Sequence, residues 1–88
     1  MASESIIRTR HEKLYKISDL TERDDLTYDL TAVDCVTGET EQITVTRHGF
    51  EDIHPCCRIF CFLAEVHGRP VRIRLDVDMK DGTIWSMD

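Results

Sequence analysis

The chain has 88 residues, of which 41% are hydrophobic and 32% charged, a composition typical of a folded domain and not of a disordered or fibrous chain. This size predicts one domain over residues 1–88, with an N-terminal segment 1–25 and an antiparallel β core 26–88. The N-terminus lacks a basic region followed by an apolar stretch, and no apolar run approaches the roughly 20 residues that span a bilayer. We therefore expect a cytoplasmic protein.

The N-terminal segment fits neither the period of a helix nor that of a strand. Its apolar residues are Ile6, Ile7, Leu14, Tyr15 and Ile17. A helix and a strand over 14–17 are both compatible with this spacing. The polar run 18–25 offers N-cap residues followed by carboxylates, which is typical of a single helical turn or a polar turn.

The first predicted hairpin begins at Leu26 and places Tyr28, Leu30 and Ala32 on one face, because side chains of a strand alternate between its two faces. A two- or four-residue loop around Thr37-Gly38 would set Ala32 opposite Ile43 and Leu30 opposite Val45. After Arg47 the alternation stops, and the segment 48–55 ends in a proline. We expect a loop there, with at most one short helical turn.

The second predicted hairpin joins the apolar run 56–66 to the alternating run 71–77 through His67-Gly68. This turn pairs Phe62 with Ile73, Phe60 with Leu75 and Ala64 with Val71, and these six residues are the predicted core. The opposite face of the first strand carries Ile59, Cys61 and Leu63, beside Asp76, Arg74 and Arg72. Since that face is also apolar, we expect something to cover it.

The last strand follows the turn residues Lys80-Asp81-Gly82. A three-residue loop with Gly82 left-handed would pair Val77 with Trp85 and Leu75 with Met87. We favour it over a two-residue loop, which would set Trp85 against Asp78, because it places Trp85 and Met87 on the core face. The predicted fold is mainly β: a small five-stranded antiparallel sheet curled into an SH3-like or Sm-like partly open barrel, with a short N-terminal helical or irregular segment.

Cysteines and histidines cluster near the middle of the chain, at His48, His54, Cys56, Cys57 and Cys61. Thiolate and imidazole are ligands that zinc prefers. On one strand, however, Cys57 and Cys61 would lie about 13 Å apart, too far to share an ion, and there is no Cys-x-x-Cys pair. Without a secretion signal the cysteines are expected to be reduced thiols. We therefore predict neither a metal site nor a cofactor.

Charge divides the chain into acidic and basic blocks around a net charge of −6. The acidic block contains Asp19, Glu22, Asp24, Asp25, Asp29, Asp34, Glu39, Glu41, Glu51 and Asp52. Such a surface repels phosphate backbones and favours a basic partner, although an acidic surface often serves only solubility. It is the predicted partner-binding site.

Arginines form the alternative site, with Arg58, Arg69, Arg72 and Arg74 as candidates for contact with nucleic acid. Arg72 and Arg74 must share a sheet face. Aromatic residues are poorly interleaved with them if Phe60, Phe62 and Trp85 all lie on the core face. Asp76 and Asp78 continue the arginine face, so cross-strand ion pairs are the simpler interpretation. We therefore do not expect direct binding of nucleic acid.

Catalytic signatures are missing, since there is no glycine-rich phosphate loop, no nucleophile elbow and no His-Glu-x-x-His motif. We predict a non-enzymatic regulatory or inhibitor domain that presents its acidic surface to a basic protein, for example one that processes nucleic acid. The alternatives are a small-barrel nucleic-acid-binding protein that uses the arginines, and a structural module that forms a homodimer through Ile59, Cys61 and Leu63.

Overall fold

The computed structural model describes residues 12–47, the backbone of 51–54, and residues 58–87. These residues form seven strands: β1 (Lys13–Glu22), β2 (Thr27–Asp34), β3 (Thr40–Thr46), β4 (Glu51–His54), β5 (Ile59–Val66), β6 (Arg69–Asp76) and β7 (Asp81–Ser86). Within the described ranges there is no helix, and so none that is long and apolar enough to cross a membrane.

All neighbouring strands are antiparallel and lie in one sheet in the order β3-β2-β1-β7-β6-β5-β4. The sheet curls into a half-barrel, which brings β3 into contact with β5 across the interior. This confirms the predicted mainly β, curled antiparallel fold. The strand count differs, because β1 and β4 join the five strands that the sequence indicates.

Strand β1 lies in the interior of the sheet, between β2 and β7. Of the two alternatives left open for residues 14–17 the strand is correct, and no helical or irregular segment replaces it there. The register of β1 against β2 shifts between Ile17 and Asp19, which marks a β-bulge. Because of the extra residue, Ile17 and Leu20 are both buried although they are three positions apart. The helical or polar turn predicted over 18–25 is therefore wrong for residues 18–22, which belong to β1. The turn that joins β1 to β2 contains only residues 23–26.

The β2–β3 hairpin pairs Leu30 with Ile43 and Tyr28 with Val45, two residues away from the predicted register. The loop begins one residue earlier than expected because the carboxylate of Asp34 accepts hydrogen bonds from the backbone N–H groups of Val36 (2.7 Å) and Thr37 (3.0 Å). This is the geometry of an Asx-turn. A shift of two leaves every side chain on its predicted face.

The β5–β6 hairpin has the predicted register, with Phe62 opposite Ile73, Phe60 opposite Leu75 and Ala64 opposite Val71. Four of these six residues are buried, and Phe60 and Ala64 are partly buried against the same cluster. The remaining core side chains come from the inner faces of β1, β2, β3 and β7, together with Val66 at the end of β5 and Val77 after β6. The segment predicted as a loop also contains a strand, since β4 pairs with β5 through its backbone.

The β6–β7 hairpin differs from both predicted loops. Trp85 lies opposite Arg72, and Ile84 takes the buried position opposite Ile73. The loop spans 77–80 because the Asp76 carboxylate accepts a hydrogen bond from Met79 N–H at 3.1 Å, and Lys80 supplies the left-handed residue at φ 57°. The predicted core positions of Trp85 and Met87 are therefore wrong.

Gly82 has a different role from the predicted left-handed turn, since it lies within β7 between Leu75 of β6 and Ile17 of β1. A Cβ atom at this position would overlap the carbonyl oxygen of Arg74 and lie 3.2 Å from the Cα of Leu75. Glycine here permits the close approach of neighbouring backbones.

Candidate binding surface

The predicted acidic site is spread over the molecule, and several of its carboxylates stabilise local structure. Asp24 accepts hydrogen bonds from the N–H groups of Leu26 and Thr27, both at 2.9 Å, in the turn before β2. Asp34 does the same in the turn after β2. Since β2 has eight residues, these two turns lie about 25 Å apart.

Backbone amides lower the pKa of both turn carboxylates because they donate hydrogen bonds to the charged form: Leu26 N–H contributes most at Asp24, and Thr37 N–H at Asp34. Hydrogen bonds also lower the pKa of Asp29, first from the Thr44 hydroxyl and then from Arg23.

Three further acidic residues are engaged with other side chains. Asp29 forms an ion pair with Arg23 at 2.7 Å. Glu22 pairs with Arg58, and Glu41 accepts hydrogen bonds from the hydroxyl of Tyr15 and from Nε2 of His67.

The other predicted acidic residues occupy separate positions. Asp19 accepts a hydrogen bond from Leu20 N–H beside the β1 bulge. Asp25 is exposed at the β1–β2 turn, and Glu39 is exposed before β3. The side chains of Glu51 and Asp52 are outside the described part of the chain, although their backbone lies in β4. The structure therefore does not gather the eight acidic residues whose side chains it describes into one surface.

The four arginines of the predicted alternative site do not form one group either. Arg58 precedes β5 and lies near Asp78 as well as Glu22, with 3.7 Å between its Nη1 and the Asp78 carboxylate. Arg69 opens β6 and lines the mouth of the half-barrel. Only Arg72 and Arg74 lie together, exposed on the outer face of β6 as the alternation predicts.

Trp85 shares this outer face, where it lies opposite Arg72 on one side and Lys13 on the other. The ammonium group of Lys13 is 5.5 Å from the centre of the indole, within the range of a cation-π contact. This placement removes one of the two reasons for doubting an arginine surface, namely that no aromatic residue lay beside it.

Two rows of side chains across β1, β7, β6 and β5 complete the surface, which we name the tryptophan-arginine face. The first row contains Lys13, Trp85, Arg72 and Leu63, and the second contains Lys16, Thr83, Arg74 and Cys61. These eight residues include four cations and no carboxylate, in a chain of net charge −6. The next row is acidic at Asp81 and Asp76, and Glu51 of β4 lies opposite Cys61. The positive charge is therefore concentrated in a patch about 14 Å wide.

Apolar groups are also accessible on the tryptophan-arginine face. Leu63 is 54% exposed, and Cys61, Arg72, Arg74 and Trp85 line a hollow of about 280 Å³. We expected another element to cover this side of β5, but the side chain of Leu63 is exposed. Sequence reasoning missed Trp85, Lys13 and Lys16. The turn-forming aspartate at position 76, four residues before Lys80, is the signal that could have given the correct register of Trp85.

The mouth of the half-barrel forms a second concave region, of about 690 Å³, lined by Leu14, Tyr15, Val66, Val71 and neighbouring residues. Burial raises the pKa of the Tyr15 hydroxyl, and the adjacent Glu41 carboxylate raises it further. The Tyr15-Glu41-His67 group links β1 and β3 to the β5–β6 turn. We assign it a role in holding this end of the half-barrel together.

The cysteine-histidine cluster lies mostly outside the described residues, which omit His48, Cys56, Cys57 and the side chain of His54. Cys61 is half-buried on the tryptophan-arginine face, and Cys35 is exposed in the β2–β3 turn. The described part of the chain contains no group of three or more potential metal ligands.

Comparison with known proteins gives no relative for this arrangement: no protein-family model matches the chain, and no curated protein or solved structure shows significant similarity to it.

Proposed function

We propose that this chain is a non-enzymatic binding domain whose contact surface is the tryptophan-arginine face, and that it recognises an anionic partner. The observation that carries the proposal is the position of Trp85 between Lys13 and Arg72. Tryptophan and arginine are the side chains most enriched among residues that dominate binding energy at interfaces. Exposed Leu63 adds apolar area beside them.

Local electrostatics support an anionic partner despite the negative net charge. The carboxylates on β2 and β3 lie on other strands, and several are already bonded to turn amides or to cations. Charges separated by more than a Debye length, about 8 Å at physiological ionic strength, interact weakly. The potential that a docked partner meets is therefore set mainly by the four cations of the face and by the carboxylates that border it, Asp76, Asp81 and Glu65.

A second candidate is the regulator that binds a basic protein through its acidic residues. Asp25 and Glu39 favour it, because both are exposed. They lie at opposite ends of β2, however, so a partner would need to contact both turns. A homodimer formed through Leu63, Cys61 and Ile59 would bury the same face and would compete with any other partner there.

Retention on immobilised heparin tests the proposed function. We expect the protein to bind at low salt despite its net charge of −6, and the Arg72→Ala/Arg74→Ala variant to lose most of this retention. The matched control is Arg23→Ala/Lys80→Gly, which also removes two positive charges but from the turns, where glycine suits the left-handed Lys80. Equal loss in both variants, or no retention of the parent protein, would contradict the proposal.

A further inference from the structure

We propose that the anionic partner of the tryptophan-arginine face is single-stranded nucleic acid. This inference rests on the proposed function, whose partner it specifies. It follows from the chemistry of the face and from the partial exposure of Trp85, the one tryptophan in the chain.

The composition of the face distinguishes nucleic acid from an acidic protein. Two of its four cations are lysines, Lys13 and Lys16, which are depleted at protein-protein interfaces but suit phosphate as compact point charges. The other two, Arg72 and Arg74, can bind phosphate oxygens through two parallel hydrogen bonds. A cationic surface around an aromatic ring is the arrangement that binds single strands by contacts to the backbone and by stacking of bases.

Geometry favours a single strand over a duplex. Trp85 lies on the open side of the sheet, and the hollow beside it, about 280 Å³ and lined by Cys61, Arg72, Arg74 and Trp85, has room for one planar ring. A base can enter it only if it is unstacked, as in single-stranded segments. Leu63, one strand beyond Arg72, offers apolar contact to a neighbouring base or sugar.

The acidic row at Asp76 and Asp81 limits the binding site to the two basic rows. We therefore expect a short site that uses at most the four cations. For single strands the logarithm of the binding constant falls with the logarithm of salt concentration by about 0.7 per phosphate contact. The expected slope is thus no steeper than about −2.8, and removal of Arg72 and Arg74 should bring it to about −1.4 or less.

Fluorescence of Trp85 tests the inference directly, because this is the only tryptophan in the chain. A twelve-nucleotide oligodeoxythymidine, titrated into the 88-residue chain at low salt, should quench the emission. The Arg72→Ala/Arg74→Ala variant should show the reduced salt slope, whereas Arg23→Ala/Lys80→Gly should keep the parent slope. In a separate anisotropy measurement with labelled oligonucleotide, Trp85→Leu should weaken binding about 5- to 140-fold. Thermal melts of all variants show whether they are folded.

The outcomes separate this inference from the proposed function. Quenching by the oligonucleotide that depends on Arg72 and Arg74 supports the inference. Quenching by poly-glutamate but not by the oligonucleotide would overturn it while leaving an anionic protein partner for the face. Oligonucleotide binding that both double variants retain equally would also overturn it. Failure of both ligands, together with no retention on heparin, would overturn the proposed function as well.

Discussion

Gly82→Val should lower the free energy of unfolding by about 3 kcal/mol or more, the upper end of the range for overpacked sites. The reason is steric, since even a Cβ atom at this position would overlap the carbonyl oxygen of Arg74. For a domain of this size such a loss lowers Tm by about 12 °C or more, which a thermal melt measures. Valine adds three carbon atoms to a site that has no room for one.

Alanine substitutions at two glycines provide the matched control. Gly68 has a φ of 75°, but a Cβ atom added there would meet nothing within 4 Å, so Gly68→Ala should cost only the roughly 1–2 kcal/mol of a left-handed alanine. Gly82→Ala should cost more, although Gly82 is not left-handed. The opposite ranking, or an unchanged melt for Gly82→Val, would mean that β7 does not pair with β6 and β1 as described.

Phe62→Ala should cost about 3–5 kcal/mol, the range for removing a large buried aromatic side chain. Phe62 is 3% exposed and lies opposite Ile73 in the core. Because small domains have only about 5–15 kcal/mol of stability, the variant should melt at least about 12 °C lower or be largely unfolded.

The neighbouring residue supplies the control for this prediction. Leu63 projects from the opposite face of β5 and is 54% exposed, so Leu63→Ala should change stability by about 0.5 kcal/mol or less. Similar melts for Phe62→Ala and Leu63→Ala would contradict the assignment of the inner and outer faces of β5, and with it the position of the proposed binding surface.

The β5–β6 hairpin was predictable to the residue because strict alternation from Val71 to Val77 meets a tight turn at His67-Gly68. Alternation fixes which side chains share a face, and the turn fixes the register. The same two rules fail in β1, where the bulge between Ile17 and Asp19 disrupts the period of two in the sequence. A bulge depends on pairing with a neighbouring strand, so the sequence of β1 alone does not reveal it.

Turn chemistry explains the other differences. The predicted turns were placed at glycines. The observed loops instead begin after Asp34 and Asp76, whose carboxylates accept hydrogen bonds from backbone N–H groups of the loop. The left-handed position after Asp76 belongs to Lys80, a residue with no strong preference for it. In the β2–β3 hairpin the different loop left every side chain on its predicted face. In the β6–β7 hairpin it moved Trp85 from the core to the outer face. The shared face of Arg72 and Arg74 was therefore predictable from periodicity, while its aromatic member was not.

Quenching of Trp85 emission by small ions tests the central claim, that this indole is partly exposed on the outer face and lies between two cations. Lys13 and Arg72 lie on either side of it, so iodide should quench the emission more strongly than caesium at the same ionic strength. The preference should weaken in the Arg72→Ala/Arg74→Ala variant and persist in Arg23→Ala/Lys80→Gly. Blue-shifted emission that resists both ions would place Trp85 in the core and contradict the account, as would stronger quenching by caesium.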